Sequence, residues 1–569
     1  MSDQIQRCHG CHNEYTVSEG DQNFYERLNS PAPRYCPSCR MHRRIVFRNE
    51  RTLYQRKCDL CQKTMVAIYP SGTSFPVYCS PCWNGDGWDP KSFGQIYDPA
   101  RPFFDQIKEL QSRVPRVGLV SLTSVNSEYT NNSADNKNCY LLFASENCED
   151  VMYGRLLQRC KFVLDAAFLY DSELCYECVD CRQCYNCLFS ERCQTSNDLL
   201  FCFDALDSKN CIFSTNLRHA EYLIENRQCS KEEYEAKRKE ILSSYENLEA
   251  AKIHFNELKA QALVKFAFQT KCEDATGDYL FNCHHSNLMF DSSNAVNSSY
   301  MADAEDPIDC LDGNNMYYKS ELCIDVMGSL KAYRSKYSCY AFYCTDVEYC
   351  DNCHNSDDCF GCISLRKCKN CILNKEYSSE EYKKIKQQII ASLTKEGLYG
   401  DFFPPAISPF GHNETLAQDY YPLTRETALA TGFRWQDLTT GTRGKETMKP
   451  ETMPKNISEV TDEIVNQVLL CTKCNRNFRI LPAELAFYRK MGLPLPRQDF
   501  ECRHQARVNM RTPRQLWHRQ CMCDYATRTN TAKHTHHETG RCNNKFETAY
   551  APDRPEVIYC ESCYQSEVV

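Results

Sequence analysis

Cysteine pairs with two residues between them are the groups in this chain with the plainest chemistry. Cys8 and Cys11 are followed after 24 residues by Cys36 and Cys39, and Cys58 and Cys61 after seventeen residues by Cys79 and Cys82. Two such pairs supply the four thiolates of a closed tetrahedral zinc site. Near the C-terminus, Cys471 and Cys474 precede Cys502, and Cys542 is followed after seventeen residues by Cys560 and Cys563. Asp499 stands there where the first copy has Cys36; its carboxylate can ligate zinc, and neighbouring His504 is the alternative fourth ligand. An eighteen-residue insertion between about 523 and 542 places His534, His536 and His537 beside Cys521 and Cys523. Three readings stay open for these histidines: completing a fourth coordination position, building an extra metal site, or lying in a solvated loop.

The cysteine pairs belong to a duplication. Residues 8–58 align with 471–521 without a gap, with fifteen identities in fifty-one positions. Shared positions include Cys8/Cys471, Cys11/Cys474, Cys39/Cys502, Cys58/Cys521 and a Phe-Tyr pair, and each copy reaches a PxPR turn before its second cysteine group. That order predicts a hairpin followed by a helix. The stretch CHGCHNEYTVSEGDQNFYERLNSPAPRYCPSCRMHRR resembles the zinc-ribbon family of treble-clef type, whose motif runs CxxC, FY, PxxCxxCR. The resemblance covers about forty residues at each end and implies a fold without an activity. The whole chain resembles bacterial Cys-rich zinc-ribbon proteins.

Arginines form the second constellation. Arg40, Arg44, Arg48 and Arg51 step by four, four and three, so a helix starting near Cys39 carries them along one face. Arg56 continues the group, and Arg503, Arg507, Arg511, Arg514 and Arg519 repeat it. Guanidinium binds phosphate bidentately, and Tyr54 or Trp517 can stack on unpaired bases, which makes the two stripes a candidate nucleic-acid site with two grips on one polymer. Pro513 is expected to end the second helix early and weaken Arg514 in the stripe. The alternative is internal. Net charge is −8, but residues 1–57 carry ten Lys/Arg against six Asp/Glu and 469–523 carry eleven against three, so the rest holds −20. The basic ends can dock on that acidic middle.

The middle must position the ends, and it is repetitive. Residues 170–241 match 318–389 at offset 148, sharing a YxSELC opening and an SxEEY ending. Cys139, Cys148, Cys175, Cys184, Cys193, Cys202 and Cys211 share a nine-residue phase, as do Cys323, Cys350, Cys359 and Cys368 in the second half. Small residues at fixed phase suit the narrow interior of a β-solenoid, with two nonads making an eighteen-residue coil. Cysteine then acts as core filler, and alanine replaces it at 166, 332 and 341. Metal or iron–sulfur ligation by CYECVDCRQCYNC and reversible thiol chemistry are the alternatives. Each half ends in a helix, the first opened by a capping box of Ser230 and Glu233, that braces the solenoid end. The expected fold is mixed and β-rich. It has zinc-ribbon pairs over 1–100 and 466–569, nonapeptide-repeat solenoid halves over 101–229 and 271–377, a helical segment over 230–270, and a helix with an extended connector over 378–465.

Composition bounds the function. The 569 residues are 42% hydrophobic and include forty cysteines. No secretory h-region and no stretch of about 18 apolar residues is present, so a cytoplasmic location without a membrane partner is expected, where reduced CxxC pairs ligate zinc. No P-loop, nucleophile elbow, HExxH, dinucleotide fingerprint or assembled deaminase pattern occurs, and four-thiolate sites leave no position for water. The expectation is a non-enzymatic protein without a small-molecule substrate, holding about four structural zinc ions. Its leading partner is nucleic acid, RNA before DNA. A protein-interaction scaffold is the alternative, and metal storage or thiol redox chemistry ranks third.

Overall fold

A computed structural model describes residues 2–317, 320–437, 441–527 and 530–569. The fold is mixed α/β and strand-rich, with twelve α-helices and many small sheets among the described residues. Each cysteine pair at an end begins on a short antiparallel hairpin or at a helix N-terminus. Gln4–Arg7 pairs with Glu14–Val17, Tyr54–Lys57 with Thr64–Ala67, Leu469–Leu470 with Asn477–Phe478, and Trp517–Gln520 with Lys545–Thr548. The second pair of cysteines in each N-terminal module opens a helix, Pro37–Ile45 or Ser80–Asn84.

The middle is built from parallel ladders whose partners lie twelve residues apart. One column runs Lys137, Glu149, Lys161, Glu173, Tyr185, Asn197, Lys209, Glu221. A second runs Leu164, Tyr176, Leu188, Leu200, Ile212. The second half repeats the step from His284 through Val296 to Ile308 and, after one thirteen-residue step, from Glu321 to Tyr333 and Thr345. The eighteen-residue coil expected from two nonads is thereby corrected to a step of twelve. The physical reason lies in a three-residue unit. From Asn132 to Glu225 every third residue has φ between 48° and 58°, so the chain turns a corner every three residues. Such left-handed residues cost about 1–2 kcal/mol each unless they are Gly, Asn or Asp, and Asn and Asp recur at the corners.

Nine is also a multiple of three, which explains the cysteine phase. The residue after each corner points inward, and there Cys139, Cys175, Cys184, Cys193 and Cys202 are buried. Their thiols donate to carbonyls nine residues on, as from Cys178 Sγ to Cys187 O at 3.2 Å and from Cys184 Sγ to Cys193 O at 3.3 Å. Inward serines instead accept from the chain twelve residues on: Cys184 N donates to Ser172 Oγ at 3.1 Å and Cys202 N to Ser190 Oγ at 3.1 Å. Inside this stack a thiol is a small filler with a weak donor.

Helices close the ends of both ladders. Ser230 caps Lys231–Leu242 in a capping box with Glu233, and Ser378 caps Ser379–Lys395 with Glu381. The charge-rich run after Ser230 is two helices rather than one, because Ser244 caps a new start at Tyr245–Gln261. Tyr234 donates to Asp198 O at 2.7 Å, which ties the first helix to the ladder. The connector packs into the core: Phe402, Phe403, Ile407 and Leu416 are buried with Met41, Ile45 and Phe47 of the N-terminal module.

A buried chain of ion pairs holds the ends and both halves together. Glu50 takes Arg48 Nε at 2.6 Å and Arg155 Nε at 2.9 Å, and Arg155 reaches Asp303 at 3.3 Å. Asp303 also takes Arg514 at 2.5 Å, Arg514 pairs with Asp291 at 2.8 Å, and Arg511 joins Asp291 to Asp180. Removing one member leaves uncompensated buried charge, worth about 3–5 kcal/mol. Asp303→Ala is therefore expected to lower the unfolding free energy by about that amount in urea titrations. Lys137→Ala, which breaks an exposed pair with Glu149 at 2.6 Å, is expected to leave the unfolding free energy nearly unchanged. Equal effects of the two substitutions would refute the argument.

Candidate metal centres and the arginine stripe

The hairpin knuckles create thiolate sites through the backbone. At the first, Cys8 N donates to Asn13 O at 2.9 Å, closing a turn that needs His12 at φ 62°. Cys8 Sγ then accepts from Gly10 N at 3.3 Å and from Cys36 N at 3.2 Å. Cys36 is the N-cap of Pro37–Ile45, so Cys36 and Cys39 stand at the positive end of a helix, where a thiolate is favoured. The pattern recurs: Cys79 N donates to Cys58 Sγ at 3.3 Å and Cys560 N to Cys521 Sγ at 3.2 Å. Hydrogen bonding from Cys39 drives Cys36 down to about 5, and Cys521 does the same for Cys560, down to about 4.

Four cysteines converge at three places: Cys8, Cys11, Cys36 and Cys39; Cys58, Cys61, Cys79 and Cys82; and Cys521, Cys542, Cys560 and Cys563, with all four sulfurs of each set within 4.8 Å of one another. Tetrahedral zinc with Zn–S of about 2.3 Å needs sulfurs about 3.8 Å apart. Cys11–Cys36 is 3.7 Å, Cys61–Cys79 3.8 Å and Cys542–Cys560 3.9 Å, so these donor sets fit such a cation. In the remaining module Cys471 and Cys502 are 3.8 Å apart and Cys474 Sγ donates to Asp499 Oδ2 at 3.0 Å. Asp499 has taken over the N-cap role of Cys36, accepting from Cys502 N at 2.7 Å. His504 does not join this group; its Nε2 faces Asp419 at 3.7 Å. All forty cysteines are free thiols.

In the insertion, His534 and His537 lie against Cys523, at 3.5 and 3.4 Å, and His536 lies 3.5 Å from Cys542. The central cysteines are a different matter. Burial pushes Cys181, Cys193 and Cys211 up to about 11, so these thiols hold their protons more tightly than an exposed cysteine does. Cys175 goes the other way, because the thiols of Cys178 and Cys187 bond to it.

The arginines take the internal alternative. Arg40 pairs with Asp312 at 2.8 Å, and Arg44 with Asp312 at 3.3 Å and with Asp325. Arg503 pairs with Asp165 at 3.0 Å, and Arg507 with Asp165 at 3.1 Å and Glu177 at 3.3 Å. Arg40, Arg44, Arg48, Arg503 and Arg507 are all buried, Arg511 is half-buried, and Arg51 is half-buried against Glu501 of the other end module at 2.7 Å. Arg56 and Arg519 hold loop carbonyls, Pro70 O at 2.7 Å and Ala551 O at 2.9 Å. The second helix ends at Met510, ahead of Pro513, so Arg514 lies outside the helical stripe as expected, and it joins the ion chain from the segment that follows. Tyr54 gives its hydroxyl to Glu414 at 2.7 Å. As placed, these guanidiniums are not presented to a polyanion.

The duplication extends to the contacts. Arg40 lies 5.1 Å over the Tyr300 ring and Arg503 5.1 Å over Tyr153. Tyr300 donates to Asp21 at 2.7 Å, and Tyr153 to the matching Glu484 at 3.0 Å. The N-terminal module thus grips the second half of the middle and the C-terminal module the first. The carboxylates were the functional residues missed from sequence. Asp165, Glu177, Asp180, Asp291, Asp303, Asp312 and Asp325 all occupy left-handed corners, so a twelve-residue Asp spacing such as 291 and 303 was the available signal.

Searches of family models and of curated proteins return no match to this chain. Its chemistry therefore rests on the geometry above.

Asp325 offers a pH test. Burial pushes it up to about 6 against the pull of Arg44 and Arg40, with Asp312 adding to the rise. An unfolded Asp titrates near about 3.9, so between pH 7 and 5 the folded chain takes up a proton that the unfolded chain does not. The contribution of this group to stability rises as pH falls through that window. Asp325→Asn is expected to flatten the slope of the urea midpoint against pH there; an unchanged slope would contradict the assignment.

Proposed function

We propose that this protein is a zinc-stabilised, non-enzymatic scaffold that binds other proteins. The observation that carries this reading is the burial of both arginine stripes in ion pairs with the middle of the same chain. Charge that would serve a nucleic acid serves instead to lock four parts into one framework. The end modules read as treble-clef zinc ribbons, and the donor spacing supports zinc as their cation. The twelve-residue ladders support a reading of the middle as two β-solenoid halves with four three-residue sides per coil. Sets of four thiolates favour structural over catalytic metal, since they leave no open coordination position. Among the described residues no helix is long and apolar enough to cross a membrane. The free thiols favour a reducing compartment such as the cytoplasm.

Elemental analysis of the intact chain is expected to find zinc, and fluorescence anisotropy with single-stranded RNA to find no salt-sensitive binding at micromolar protein. Arg40→Ala and Arg503→Ala are expected to lower thermal stability and leave RNA binding at background. Cross-linking in cells followed by mass spectrometry is expected to recover the same protein partners repeatedly. Tight, salt-dependent RNA binding that Arg40→Ala abolishes would overturn this reading in favour of the nucleic-acid one.

A further inference from the structure

Cys563 belongs to three donor sets, each with all donor atoms within 4.8 Å of one another: its module's own four-cysteine group with Cys521, Cys542 and Cys560, a second with Cys523, His534 and His537, and a third with Cys542, His536 and His537. In the second set Cys523 Sγ is 3.5 Å from His534 Nδ1 and 3.4 Å from His537 Nε2. His534 Nδ1 and His537 Nε2 are 3.4 Å apart, and Cys563 Sγ is 3.4 Å from His537 Nε2. Zinc–sulfur bonds of about 2.3 Å and zinc–nitrogen bonds of about 2.0–2.1 Å give tetrahedral edges of about 3.3–3.6 Å for such donors. The measured edges match.

A second, independent feature points the same way. The far nitrogen of His534, Nε2, lies 2.7 Å from Glu567 Oε1, and the two side chains are 0% and 3% exposed. A carboxylate behind a histidine fixes the tautomer that offers the other nitrogen to a metal. Glu567 is itself held by Thr531, whose N and Oγ1 donate at 2.7 and 2.6 Å. The N-terminal module has none of this: Leu60 stands at the position of Cys523, and the histidine insertion is absent.

We propose that the C-terminal module holds two divalent ions joined by the Cys563 thiolate, the first with Cys521, Cys542 and Cys560, the second with Cys523, His534 and His537. Electrostatics favours the pair. A divalent ion held by four buried thiolates carries two net negative charges; a second divalent ion, one more thiolate and two neutral imidazoles leave one. His536, with Nε2 3.2 Å from Cys563 Sγ and 3.5 Å from Cys542 Sγ, flanks the shared sulfur and is more exposed than the proposed ligands, so it is left out of both shells.

This inference rests on the zinc reading of the end modules, and native mass spectrometry of the full chain separates the two. A wild-type chain without bound metal sinks both. If wild type is loaded, Cys523→Ser and the double variant His534→Ala/His537→Ala are expected to carry one ion fewer, and His536→Ala the same number as wild type. An unchanged count in the double variant, or a loss on His536→Ala instead, overturns the shared centre and leaves the four-cysteine sites standing. A variant that unfolded the module would lose both ions, so cobalt loading of wild type supplies the second readout. The two-sulfur, two-nitrogen site is expected to add d–d bands at shorter wavelength than those of the four-sulfur sites, and their absence overturns the proposal.

Discussion

Burying a guanidinium is expensive unless a carboxylate meets it in good geometry, and this fold depends on meeting that condition many times in one place. Arg48, Arg155, Arg514 and Arg511 alternate with Glu50, Asp303, Asp291 and Asp180, each within hydrogen-bonding reach of the next. The members come from both end modules and both halves of the middle. No part can leave without stranding charge in the others. Hydrophobic contact is non-directional and tolerates sliding; this mesh accepts one register only. It therefore specifies the arrangement, while the apolar core beneath it around Ile45, Phe103, Tyr349 and Phe403 supplies the attraction.

The carboxylates owe their position to backbone geometry. A three-residue unit places a left-handed residue at every corner, and Asp or Asn tolerates that conformation better than most. Stacking at a step of twelve, with one step of thirteen between Asp312 and Asp325, then sets corners above one another, so Tyr153, Asp165 and Glu177 form one column and Tyr300, Asp312 and Asp325 another. Each column presents one aromatic face and two acids in line. An arginine-bearing helix with its residues four apart rises about 6 Å between them, and strands in a ladder lie about 4.8 Å apart. These spacings are close enough for two successive arginines to meet two successive rungs.

Much of this was legible in the chain. Thiolate pairs could be read from spacing because a tetrahedral ion needs four donors and the loop between pairs varies little. Ser230 with Glu233 was readable because a capping box is local in sequence. The step of twelve was not, since cysteines mark only the inward position of a three-residue unit, and nine and twelve both preserve that phase. The arginine stripe was visible as a helix face, but periodicity tells which residues share a face and not what covers it. Asp499 was seen as a substitute ligand, whereas its second task as the N-cap of Phe500–Met510 depends on where the helix starts.

The cysteine clusters and the ion-pair mesh are linked through two short helices. Cys36 and Cys39 open Pro37–Ile45, and Arg40 and Arg44 follow on the next turns; Asp499 and Cys502 open Phe500–Met510, and Arg503 and Arg507 follow in the same way. A nine-residue helix is too short to persist in water. Its first turn is tied to the cysteine knuckle, Cys36 N donating to Cys8 Sγ at 3.2 Å, and the start and rotation of the helix decide which way the arginines point. Cysteine and arginine positions recur together at one constant offset: a knuckle without its stripe would grip nothing, and a stripe without its knuckle would have no fixed direction. The middle supplies the matching acids twice, and the ends cross over to reach them, so the chain is closed on itself by two copies of one device.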